Sequence, residues 1–321
     1  MATSYSGTGV ENSIAPTVEM ITSRLDEIVK KEALTNGLNA SEDVIRAFGH
    51  SASAKIATMV TDGLGNYDKV KGYPMGAATV TWQEYTLTYD RGLKIDVDRK
   101  DVAQTDGLAT AAAVGAQLMR QQVIPEIDAS RLSGIVAKTK GFDATHVVEE
   151  TAAPTPANLL TKIAAGLDVI YEERGTDSGA TIFVNNNLKN VLRSSTEYTK
   201  TRNVSGTPSI DLATESIEGN RIVWVPTARM KTAYTYSAGP GASSGDKGGI
   251  SPAASAQNIN FLIVAPGCAQ GVTVFSEPKY VSADANQLKD AESLMYRIYH
   301  DVIVEKNSGA SGIYAHTGKA S

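Results

Sequence analysis

The sequence predicts a mixed α+β chain organised around one extended β-hairpin and one long helix, and three observations carry that reading. Thr79–Lys100 (TVTWQEYTLTYDRGLKIDVDRK) alternates apolar and polar residues far beyond the usual strand of about 5–6 residues. Leu108–Lys138 (LATAAAVGAQLMRQQVIPEIDASRLSGIVAK) reads as helix throughout. From Pro154 onward, short helical and strand patterns alternate. At about 3.3 Å per residue, Thr79 to Arg91 alone spans roughly 43 Å. A compact globule of this length is about 50 Å across, from a radius of gyration near ~20 Å. A strand of that reach is too long for a core strand and reads as an arm made to lie on something else.

Taken in order, residues 1–20 are small, polar and rich in Gly, Ser and Thr, the composition of an extended tail. Ile21, Leu25, Ile28 and Val29 then fall at helical spacing, with Arg24, Asp26, Glu27, Lys30 and Lys31 opposite, and Asn36-Gly37 ends that amphipathic helix. The hairpin has a first limb near Ala54–Thr61, a Gly-rich tip (DGLGNYDKVKGYPMGA) and the return limb Thr79–Lys100. Along the return limb Tyr85, Leu87 and Tyr89 alternate with Glu84, Thr86, Thr88 and Asp90. After Gly92, Leu93, Ile95 and Val97 alternate with Lys94, Asp96 and Asp98, the pattern of a half-buried strand. Trp82, Tyr85, Leu87 and Tyr89 are expected to be covered by a neighbouring copy and not by the chain's own core.

The long helix would run about 46 Å. Its stripe of Leu108, Ala111, Ala112, Gly115, Leu118, Met119 and Gln122 is mostly small and suits close packing on a sheet. Pro125 either kinks the helix or opens a second segment, with Glu126 and Asp128 placed to complement the helix dipole. Beyond it, residues 158–173 and 187–193 read as helices, and 180–184, 221–225 and 259–265 as buried strands. Residues 238–257 form a low-complexity loop, 295–306 and 313–316 are strands, and there is no internal repeat.

Composition narrows the function. The chain has 321 residues, 42% hydrophobic and 20% charged, enough for one large or two medium cores. Its net charge of −5 argues against tight, sequence-independent binding of nucleic acid, which depends on Lys and Arg. Cys268, the sole cysteine, can form no internal disulfide and no thiolate zinc site. No basic segment followed by an apolar run opens the sequence, and the run Phe261–Ala265 is too short to span a bilayer. The expectation is a chain made in a cytoplasm and kept out of membranes.

The motifs that hint at chemistry each have a plainer reading. Gly241-Ala242-Ser243-Ser244-Gly245 fits the GxSxG pattern but lies in a Gly/Ser-rich loop without the strand and helix that a nucleophile elbow requires, so it reads as a linker. His300 and Asp301 are adjacent on a strand and point to opposite faces, which makes His300 a core or interface histidine. His50, His146 and His316 stand at no metal spacing. Asp96 and Asp98, with Asp101 close behind, share a face with Lys94 and Lys100 and read as a mixed-charge surface for ion pairing across a contact. The glycine pairs 63/65 and 239/241 lack the third glycine of a dinucleotide loop, and there is no Walker A sequence. No catalytic residue, cofactor site or metal site is expected.

The order of parts, together with the strings TLTYDRGLKIDVDRKDVAQT, QLMRQQVIPEIDASRLSGIV, SADANQLKDAESLMYRIYHDVIV and GIYAHT, resembles the HK97-type major capsid proteins of tailed phages from about residue 20 to the C-terminus. That resemblance implies an α+β HK97-like fold with an N-terminal arm and short amphipathic helix (1–54) and an extended loop (55–100). It further implies a spine helix with the start of a peripheral domain (101–153), an axial domain (154–265) and a return to peripheral strands (266–321). The implied function is self-assembly, as pentamers and hexamers, into an icosahedral shell that encloses double-stranded DNA without specific binding. The implied partners are other copies of the chain, a portal and, because little chain precedes the hairpin, a separate scaffolding protein; a decoration protein is optional. Localisation would be the virion, after assembly in the host cytoplasm.

Inter-subunit contacts are expected at Lys69, Lys71, Tyr73, Trp82, Tyr85, Leu87, Tyr89, Asp96, Asp98 and Arg99. Some family members cross-link their extended loops through Lys and Asn; Lys69 and Lys71 are read instead as salt-bridging residues. Two alternatives stay open: an encapsulin-type nanocompartment shell of the same fold, and a soluble hydrolase or metal-dependent enzyme.

Overall fold

The computed structural model describes residues 25–318 apart from 26, 30, 50, 52, 105–109, 176–178, 195–215, 240–245 and 307–309. The tail of residues 1–20, Leu108, His50 and the Gly241–Gly245 motif therefore lie outside the described residues. Helix α1 (Leu25, Glu27–Val29, Lys31 and Glu32) is followed by α2 (Glu42–Phe48), β1 (Ser53–Thr61), β2 (Ala78–Thr86), β3 (Tyr89–Asp98), α3 (Arg99–Gln104), α4 (Ala111–Leu118) and α5 (Ile124–Phe142). Then come β4 (Val147–Glu150), α6 (Leu159–Arg174), β5 (Thr181–Asn185), α7 (Lys189–Arg193), β6 (Ser216–Ile217), β7 (Asn220–Val225), β8 (Tyr234–Tyr236) and β9 (Ile250–Pro252). The last strands are β10 (Asn258–Val264), β11 (Ala269–Val281), β12 (Ala291–Val304) and β13 (Ile313–Gly318).

The chain divides into two units. The larger one comprises Leu34–Asp90, Pro125–Phe275 and Tyr299–Ser321. Its centre is a mixed six-stranded sheet in the order β4-β13-β10-β5-β7-β6. β10, whose seven residues are all buried, pairs antiparallel with β13 and β5, while β13–β4 and β5–β7 are parallel. A strand covered on both faces favours a continuous apolar run, here Phe261–Val264 (FLIV), in which no alternation appears. Helix α6 buries Leu159, Ile163, Leu167 and Ile170 at helical spacing. At Gly166 a Cβ would stand 2.6 Å from the Tyr314 ring, so glycine sets how closely helix and sheet approach.

The smaller unit comprises Met1–Ala33, Arg91–Ile124 and Ser276–Ile298. Gly115 of α4 faces Leu294 of β12, where a Cβ would come within 2.6 Å, and Leu25 of α1. The small-residue stripe thus packs on a strand, as its composition implies. Gln122 departs from it and is exposed. The helix takes one π turn over Met119–Val123, in which Ile124 N–H bonds the carbonyl of Met119. That extra residue rotates the buried face, which runs Ala111, Gly115, Met119 and then Ile124. Pro125 follows as the second residue of α5, where the π turn leaves room for its missing donor.

One expectation needs correction. Thr79–Lys100 is not one strand: β2 ends at Thr86 and pairs only with β1, whereas β3 begins at Tyr89 and belongs to the three-stranded sheet β11-β12-β3. The break falls at Leu87 and Thr88, where the Leu87 side chain turns into a cluster with Phe48, Val272 and Ile303 and its carbonyl accepts from Tyr299. Among the described residues of 238–257 some local structure is present. β9 pairs with β8 there, and the Asp246 carboxylate accepts from Ser237 Oγ and from the backbone of Gly239 and Gly248.

Candidate assembly interface

Among the described residues the β1–β2 hairpin pairs with no third strand, and a two-stranded ribbon alone is marginally stable in water. Its register places Ala54 opposite Tyr85, Ile56 opposite Gln83, Ala57 opposite Trp82 and Met59 opposite Val80. Side chains alternate between faces along each strand, so Ala54, Ile56 and Tyr85 share one face and Ala57, Met59, Val80 and Trp82 the other. The first face is rooted in the larger unit: Ala54, Tyr85 and Leu87 pack with Phe48, Val272 and Ile303. No described residue covers the second. Trp82 is 67% exposed and Met59 66%.

The exposed apolar surface continues to the tip through Leu64, Tyr67, Val70, Tyr73 and Met75. Asp62 closes the hairpin by accepting the Ala77 N–H at 2.7 Å. At the far end Asp68 caps the turn, accepting the N–H groups of Val70 (2.7 Å) and Lys71 (3.1 Å), which hold its carboxyl below the usual range. The Tyr67 and Tyr73 rings meet edge to face at 5.0 Å. A defined turn thus presents Lys69, Val70 and Lys71 to solvent. A run of large apolar side chains on a slender hairpin is the kind of surface that marks a protein contact.

The residues expected to make copy–copy contacts separate on this geometry. Lys69, Lys71, Tyr73 and Trp82 are exposed on the hairpin. Tyr85 and Leu87 are 9% and 4% exposed and belong to the chain's own core, which corrects the expectation that a neighbour alone would bury them. Tyr89 is half-buried between Tyr236 (4.6 Å between centroids) and His300 (5.6 Å). Asp96 accepts from Ser293 (2.7 Å) and pairs with Lys289 (2.9 Å) and Lys94 (3.2 Å), and these partners hold its carboxyl far below the ordinary range. Asp98 accepts the Lys100 N–H, and Arg99 pairs with Asp284 and Asp290. Lys94, Asp96 and Arg99 therefore have ion-pair partners within the chain. The sequence reading missed Met59, Val80, Leu64 and Met75; the signal present was the uncharged, two-sidedly apolar second part of β1, Ile56–Thr61 (IATMVT).

Several buried polar groups elsewhere find partners within the chain. His300 is buried, and Lys138 reaches both the Asp301 carboxylate (3.2 Å) and the Val302 carbonyl. His146 Nδ1 donates to the Ile313 carbonyl at 2.9 Å. His316 lies between Asn260 (3.1 Å) and Glu150 (3.5 Å), and burial pushes its pKa down. Among the described residues no group of three His, Cys, Asp or Glu could hold a metal ion, and no helix is long and apolar enough to cross a membrane.

The chain is similar in structure to the asymmetric unit of the bacteriophage PhiM1 mature capsid, at a TM-score of 0.58 and 13% identity over 84% of this chain and 82% of that one. It is similar to the capsid structure of cyanophage P-SCSP1u at 0.57 and 10% identity, over 85% of each chain. A Mycobacterium phage Che8 chain aligns at 0.53 and 15% identity, over 88% of this chain and 90% of that one. No family model and no curated protein matches the sequence. At these identities the likeness is one of fold, and the fold of this chain is the HK97-like capsid fold.

Proposed function

We propose that this chain is a structural major capsid protein, whose copies assemble as pentamers and hexamers into an icosahedral shell around a phage genome. The observation that carries the reading is the hairpin, with its rooted inner face and its bare outer face of Ala57, Met59, Val80 and Trp82. Such a surface finds cover when it lies on another copy. In this reading residues 55–100 are the extended loop, whose projecting part is the β1–β2 hairpin, and the helix that includes α4 and α5 is the spine. Residues 154–265 form the axial domain, and 101–153 with 266–321 the peripheral one.

The work is mechanical: burial at copy–copy contacts holds the shell, and no residue acts as a catalyst. An acidic chain confines DNA without gripping it. A separate scaffolding protein and a portal complete the assembly, a decoration protein is an optional addition, and the mature chain resides in the virion. Lys69 and Lys71 make salt bridges and no covalent links. Denaturing electrophoresis of mature particles tests this: single-chain bands support non-covalent contacts, and ladders of multimers overturn them.

A further inference from the structure

A second feature of the larger unit concerns how the hairpin is aimed. Asp128 of α5 is fully buried, yet all four lone-pair positions of its carboxylate are used. Oδ1 accepts the Thr35 N–H at 3.1 Å and the Thr35 hydroxyl at 2.8 Å. Oδ2 accepts the Leu34 N–H at 3.3 Å and Arg229 at 3.0 Å. One turn along the same helix face, Arg131 donates to Asn39 Oδ1 (2.8 Å), the Thr35 hydroxyl (3.3 Å) and the Thr35 carbonyl (3.4 Å). Burial lowers the Arg131 pKa to about 10, which still leaves it charged at neutral pH.

A buried ion cluster adds little stability over an apolar core of the same shape; its best-attested use is to select one arrangement. Here it selects the path of residues 34–40. That strap continues into the hairpin root along two routes. The Ala40 N–H bonds the Gly271 carbonyl at 2.9 Å, and Arg131 lies so close to Gly271 that a Cβ there would stand 2.6 Å from its guanidinium. The next residue, Val272, packs with Phe48, Ala54 and Tyr85, and Ala40 and Val44 join that cluster. The ion cluster and the hairpin root are thus one residue apart on β11 and are also joined through the strap and α2.

We propose that Asp128 and Arg131 are positioning residues for the hairpin. They pin the strap and β11, and thereby fix the direction in which the β1–β2 ribbon leaves the body. The role in assembly rests on the reading of the hairpin as a copy–copy contact; the mechanical coupling does not.

The test is hydrogen exchange on the full chain carrying Thr35→Val, which keeps the shape and removes the hydroxyl shared by Asp128 and Arg131. Amides of the strap and of the hairpin root (Ala54–Ala57 and Glu84–Leu87) should exchange about tenfold faster, while those of β5, β10 and β13 stay unchanged. Thr35→Ser should restore both. Asn39→Ala, at the exposed end of the cluster, gives a second and milder probe should the valine variant fail to fold. Loosening of the strap alone overturns the coupling, and uniform acceleration across the molecule reduces the cluster to ordinary stabilisation. The same samples are then weighed by light scattering, where the loosened root should lower the oligomeric fraction several-fold. A parent chain that stays monomeric with a protease-resistant hairpin refutes the capsid reading and leaves the exchange result to decide the coupling by itself.

Discussion

Replacing Trp82 by Ala separates the two faces of the hairpin. A tryptophan exposes roughly 150–250 Å², so with 67% of Trp82 uncovered about 130 Å² is available to a neighbour. At about 25 cal/mol per Å² that surface is worth ~3 kcal/mol per contact, close to a hundredfold in association. In the isolated subunit Trp82 stands opposite Ala57 on an exposed ribbon, and its loss should cost under about 1 kcal/mol. Tyr85→Ala is the matched control three residues away on the opposite face: it opens the cluster of Phe48, Val272 and Ile303 and should cost about 3–5 kcal/mol of folding stability. Thermal unfolding of the subunit and sedimentation velocity of the assembling chain read the two effects separately. The reasoning fails if Trp82→Ala unfolds the subunit or assembles like the parent, or if Tyr85→Ala melts where the parent does.

Three further outcomes follow from the interior. His316 has its folded pKa pushed below the unfolded value of about 6.5, chiefly by burial, so the stability linked to it is complete above that pH and lost as pH falls. His316→Gln should therefore flatten the decline in melting temperature between about pH 7 and pH 5; an unchanged slope assigns the decline to other groups. Gly166→Ala should cost about 1–3 kcal/mol, measured by urea denaturation, because its methyl meets Tyr314 and Ile263. Lys138→Met strands the buried Asp301 carboxylate and should cost about 3–5 kcal/mol, most of it recovered by adding Asp301→Asn, as a double-mutant cycle would show.

Much of this architecture is legible in the sequence where a single element's pattern decides it. The Gly-rich tip, the alternation at 93–97, the small residues at 111–115 and the apolar runs at 180–184 and 259–265 each state their environment locally. What was not legible depends on the third dimension. Nothing in LTY announces that the return limb changes partner at Leu87, because alternation continues across the break. Tyr85 and Trp82 look alike in sequence as large aromatics on one strand, yet an odd separation sends them to opposite faces, one to Phe48 and one to solvent. The π turn at Met119–Val123 likewise shifts the buried face without any sequence marker except the proline that follows it. In the sequence Asp128 reads as a dipole-complementing carboxylate; only the fold brings Thr35 and Arg229, about a hundred residues away on either side, onto it.

The central claim is that the bare face of the hairpin is covered by other copies of this chain. Size-exclusion chromatography with light scattering, followed by negative-stain electron microscopy of the same fractions, addresses it most directly. Megadalton shells, or rings of five or six subunits, are the expected result. A monomer at all concentrations, with a hairpin that resists protease, would contradict the account, because the ribbon would then be sheltered without a partner.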